Sequence, residues 1–99
     1  MAETLHIYPQ ESEHMDAFIL GSRSALLQLR ALIDKALEGK PEDGEFMQSD
    51  GEGYPLSVRC VAEAWADALP TAYDMYRGKE WSDADNAAFQ AAMDGRAYG

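Results

Sequence analysis

Cysteine is almost missing from this chain. Cys60 stands alone, so no internal disulfide can form and stability has to come from an apolar core. Basic residues are also scarce: 8 Lys and Arg face 18 Asp and Glu, for a formal net charge of −10. With no basic stripe to neutralise phosphates, direct nucleic-acid binding is excluded as an expectation. The same imbalance opposes docking on an anionic membrane. No apolar run approaches the length of a bilayer span. The start, MAETLHIYP, has neither the basic region nor the apolar stretch of a signal peptide. A cytoplasmic protein is expected, with Cys60 a small buried thiol.

The residue sets that carry chemistry are missing as well. His6 and His14 are the only histidines, and no cysteine cluster completes a zinc site. The acidic stretches at Asp43 and Asp50 lack the ligand spacing of a calcium loop, with glycine sixth and glutamate twelfth. There is no G-x-S-x-G elbow, and Gly21-Ser22-Arg23-Ser24 has too few glycines and no lysine for a phosphate loop. That tetrapeptide reads as a helix cap. The expectation is therefore no enzyme, no cofactor and no metal.

What is present is a single domain's worth of chain, 99 residues at 46% apolar content, organised around one helix. Between Gly21 and Gly39 the apolar residues Ala25, Leu26, Leu29, Leu32, Ile33, Ala36 and Leu37 recur with helical spacing, broadened by Leu27 and Ala31. Ser22 or Ser24 can cap the start. Gly39 followed by Lys40-Pro41 ends the helix. Before it, Thr4–Tyr8 and Met15–Leu20 read as two strands joined in an antiparallel hairpin. After it, Lys40–Glu45 reads as a loop, Phe46–Ser49 as a third strand, and Asp50-Gly51 as a hairpin turn.

From Tyr54 onward two periods compete. Leu56, Val58 and Cys60 alternate as in a strand, while Val58, Val61, Ala62, Trp65, Ala68 and Leu69 keep the helical period. The reading adopted is a strand ending near Val61, then a short helix from Ala62 to Leu69 stopped by Pro70. Ser82, with acids in the turn after it, starts a last helix over Asp83–Asp94. The expected architecture is α+β: a small single-layer antiparallel sheet of about four strands in two hairpins. One long amphipathic helix packs it, with one or two shorter C-terminal helices.

Function is then expected at the surface. Glu38, Glu42, Asp43, Glu45, Asp50 and Glu52 face the single Lys40 across that stretch. Loop and hairpin tip are expected to gather this charge at one end of the domain, where Glu42, Asp43, Glu45, Asp50 and Glu52 could meet a basic protein surface. A groove built for nucleic-acid phosphates is one such surface. A second candidate is the aromatic segment Tyr73, Met75, Tyr76, Arg77 and Trp81, rich in residue types favoured at binding hot spots. In size and acidity the chain is similar to phage-encoded counter-defence proteins and toxin-immunity proteins, a likeness of composition that transfers no residue. That likeness implies an inhibitor-type protein of a prokaryote or phage. The alternatives are a homo-oligomeric accessory protein, a homodimer in its simplest form, and a binder of a small ligand.

Overall fold

The structure, a computed structural model, describes residues 3–73, 80–96 and 98–99. It has an α+β fold whose element order follows the sequence reading: strand, strand, helix, strand, strand, helix, helix. Two compact units emerge, one of Met1–Tyr8 with Phe18–Val58, the other of Pro9–Ala17 with Arg59–Gly99.

The first unit holds β1 (Glu3–Tyr8), β2 (Phe18–Gly21), α1 (Arg23–Leu37), β3 (Asp43–Met47) and β4 (Gly53–Ser57). The strands form one sheet in the order β2-β1-β3-β4. Both expected hairpins are present and antiparallel: β1 with β2, from Leu5↔Gly21 to Tyr8↔Phe18, and β3 with β4, from Asp43↔Ser57 to Met47↔Gly53. The join between them is parallel, with Glu3 opposite Phe46 and Thr4 opposite Met47. The sheet is thus mixed, not wholly antiparallel. The chain leaves β2 through α1 and comes back on the other side of β1, running in β1's direction.

α1 forms as its sequence dictates. Ser22 accepts the Ala25 N–H at its N-terminus. At the other end Gly39 N–H bonds Ala36 O and Lys40 N–H bonds Lys35 O, closing the helix in a Schellman motif with Gly39 at φ 77°. The buried arc is narrower than the apolar arc. Ala25, Leu32 and Ala36 are buried and Leu29 packs against the core around Ala25 and Leu32, whereas Leu26, Leu27, Ile33 and Leu37 stay exposed. A sheet this small covers one line of the helix and leaves its shoulders in solvent. Ser24 Oγ donates to Glu3 Oε2 (2.6 Å) and Gln28 Nε2 to Glu45 O (3.3 Å). These bonds fix one shoulder of α1 to β1 and β3.

The core of this unit is Leu5, Ala25, Leu32 and Phe46, with Tyr54, Leu56 and Val58 partly buried around it. Gly44 explains why β3 begins earlier than expected. Asp43, Gly44 and Glu45, which read as loop, are strand. At Gly44 a Cβ would lie 2.5 Å from Leu32 Cδ1 and 3.0 Å from Phe46 Cε2. Glycine is what lets α1 approach the sheet there, so a residue that looks like a turn signal is a packing requirement. The Asp50-Gly51 turn is as expected, Gly51 taking φ 87°.

Tyr54 ties the sheet together. Its hydroxyl donates to Leu5 O at 2.5 Å, bridging β4 to β1 beyond the short stretch where β3 pairs with β1. Burial pushes its pKa above the usual 10.0, and a donating hydroxyl must keep its proton. Above about pH 10 the unfolded tyrosine ionises first. The folded state then holds more protons than the unfolded one, and stability falls as pH rises. Tyr54→Phe should cost about 1–2 kcal/mol near neutrality by leaving the carbonyl without this donor. Between about pH 9 and 11 the wild type should lose more stability than the variant. Denaturant midpoints at both pH values check this; parallel losses would show that Tyr54 is not the coupled group.

The second unit contains α2 (Glu63–Ala68) and α3 (Asp83–Met93), which pack on each other. The strand expected to run to Val61 stops at Ser57, and 58–62 is irregular. α3 opens with a reciprocal capping box. Ser82 Oγ accepts Asp85 N–H while Asp85 Oδ2 accepts Ser82 N–H. Arg59 Nε donates to Met93 O at 3.2 Å. Cys60 is half-buried, its thiol donating to Gly99 O, so it is less enclosed than a core hydrophobe.

Candidate protein-binding surfaces

The five candidate carboxylates lie on the β3–β4 hairpin and its approach, and all are exposed. They do not gather at one end. Glu42 and Asp43 sit where β3 starts, Asp50 and Glu52 in the turn where it finishes. A five-residue strand at roughly 3.4 Å per residue separates the two groups by on the order of 15 Å. The charge forms a ridge along the hairpin.

Alternation sets which side chains share a face. Gly44 and Phe46 point to α1, so Asp43 and Glu45 project from the opposite side of the sheet. Asp43 Oδ1 accepts the Ser57 hydroxyl across the hairpin at 2.9 Å. Asp50 Oδ1 accepts Glu52 N–H at 2.9 Å, an Asx turn that shapes the tip. Glu42 meets Lys35 Nζ at 4.0 Å, both side chains largely in solvent, so the contact adds little. No Lys, Arg or His occurs between Pro41 and Val58, so the hairpin itself contributes no base to the ridge, and Lys35 of α1 reaches it only at Glu42.

The aromatic segment is only partly described. Met75, Tyr76 and Arg77 lie outside the described residues. Tyr73 is half-buried. Trp81 is half-buried too, its ring 5.3 Å from Phe89, and its Nε1 is shielded from solvent with no acceptor among the described residues. That makes Trp81 a packing residue against α3 more than a projecting anchor.

Two surfaces lie outside the candidate residues named from the sequence. β2, expected to start at Met15, begins at Phe18 and is exposed along its whole length. On α1, Arg23, Leu26, Leu27 and Arg30 border an open depression of about 510 Å³. Two guanidinium groups and two leucines supply no nucleophile and no acid–base pair. The available signal was the width of the α1 apolar arc, which exceeds what four short strands can cover.

Among the described residues, no group of three or more His, Cys, Asp or Glu is placed to hold a metal ion. Among them too, no helix is long and apolar enough to cross a membrane. Compared with protein families, characterised proteins and solved structures, the chain matches none.

Proposed function

We propose that this protein is a binding module of the inhibitor type, whose acidic β3–β4 hairpin occludes a basic surface on a partner protein. The observation that carries this reading is the ridge itself. Five exposed carboxylates follow one hairpin with no basic residue between Pro41 and Val58. Fields of one sign steer a complementary partner and suppress wrong ones. A groove that normally holds nucleic-acid phosphates is a fitting target, because a line of carboxylates can replace a line of phosphates. Phage counter-defence and toxin-immunity proteins act in this general way. The reading assigns binding and no catalytic step, and puts the protein in the cytoplasm, where Cys60 stays a thiol.

The test is capture from host lysate on the tagged protein at low and at moderate salt, read by mass spectrometry. A basic protein in stoichiometric amount, held at low salt and released as salt rises, is the expected result. An empty capture, or a partner indifferent to salt, would sink the electrostatic reading.

A further inference from the structure

We infer that two copies of this chain join through their β2 strands, antiparallel about a two-fold axis, to make one eight-stranded sheet. The two sheet edges differ in how they are guarded. β4 carries Pro55, which has no N–H to offer a neighbour, and it belongs to the acidic hairpin. Proline and charge are the usual devices that stop an edge from pairing. β2 has neither: Phe18-Ile19-Leu20-Gly21 contains no proline and no charge. Among the described residues no strand lies along its outer side. Phe18, Ile19 and Leu20 are 51%, 53% and 58% exposed.

A second layer continues the same opening. Gln28 and Lys35 lie on the α1 shoulder that reaches Glu45 and Glu42. Leu26 and Ile33, each 43% exposed, fall on the opposite shoulder by helical spacing. In a sheet ordered β2-β1-β3-β4 that shoulder overhangs the β2 side. Ile7, opposite Ile19 and also exposed, fills the angle between the layers. Strand edge, helix shoulder and the residue between them form one open end of a two-layer core.

A second copy fits this end better than another partner does. An uncharged antiparallel strand is complementary to itself under a two-fold, as an isologous interface requires. Asp16 lies two residues before β2 and Arg23 two residues after it. Antiparallel pairing therefore brings the acidic start of one strand beside the basic end of the other. The charge of −10 would ordinarily keep copies apart. The acidic hairpin, however, is at the far edge of the sheet, on the order of 10–15 Å from β2 at about 4.8 Å per strand. That is beyond a Debye length of about 8 Å at physiological salt. Six half-exposed apolar side chains offer roughly 500–600 Å² per copy, about 1,000–1,200 Å² for the pair, at the low end of specific interfaces. An interface of this size belongs with weak, concentration-dependent association. The surface is distinct from the acidic hairpin, and the inference stands whether or not that hairpin binds a partner.

Sedimentation equilibrium on the full chain should show a concentration-dependent rise from 10.9 kDa to twice that mass. Leu20→Lys and, separately, Ile33→Lys should each weaken association at least about tenfold with unchanged far-UV circular dichroism, one variant charging the strand and the other the helix. Ser57→Lys on β4 should leave it intact. A monomer at all concentrations up to about 1 mM, a dimer untouched by both folded lysine variants, or a dimer broken by Ser57→Lys would each overturn the proposal. Should Leu20→Lys fail to fold, Ile33→Lys decides.

Discussion

Phe46→Ala should remove about 3–5 kcal/mol of folding stability, the largest loss expected from any single truncation in the sheet. Phe46 is fully buried on β3, clustered with Leu5, Ala25 and Leu32 beneath α1 and 6.2 Å from the Tyr54 ring. Two causes add: lost transfer free energy and a cavity that the neighbours cannot close. They cannot close it because Gly44 already brings Leu32 as near to the sheet as the backbone allows. A domain of this size has on the order of 5–15 kcal/mol in total, so the variant should be close to unfolding at physiological temperature. Urea denaturation reads the effect as a lowered midpoint at constant slope. A loss under about 1.5 kcal/mol would mean the core is centred elsewhere.

Neutralising the hairpin acids should change kinetics far more than stability. Asp43→Asn, Glu45→Gln, Asp50→Asn and Glu52→Gln together remove four of the five candidate charges. The fold should survive, because the two structural bonds depend on an acceptor oxygen that asparagine keeps. Those are Ser57 Oγ to Asp43 and Glu52 N–H to Asp50. Against the captured partner, the association rate at low salt should fall by about 10–100-fold, within the range ascribed to steering. The dissociation rate should change less, and the dependence of association on salt should flatten. Stopped-flow or surface-based kinetics over a salt series measures all three. Association that stays fast and salt-dependent would place the steering charge on other acids of the chain.

The same hairpin shows why sequence reading placed residues and missed their geometry. Its acids, its Asp-Gly turn and its lack of bases are local facts. That they line a ridge follows from Asp43–Glu45 being strand, and this depends on Leu32 arriving from α1. In the aromatic segment, composition shows the residue types, and the structure adds that Trp81 lies against Phe89 of α3.

The sequence by itself determined the two antiparallel hairpins, the capped and Schellman-closed α1, and the capped start of α3. The caps are decided by hydrogen bonds and φ preferences within a few residues of one another, and the hairpins by strands that follow one another in sequence. Only the tertiary structure decided the parallel join of β1 to β3, the early start of β3 at Gly44, and the exposure of Phe18–Leu20 and the α1 shoulders. Those depend on which strand lies beside which, and on how much helix four short strands can cover. Apolar spacing reveals which residues can be buried; the area available on the facing layer settles which ones are.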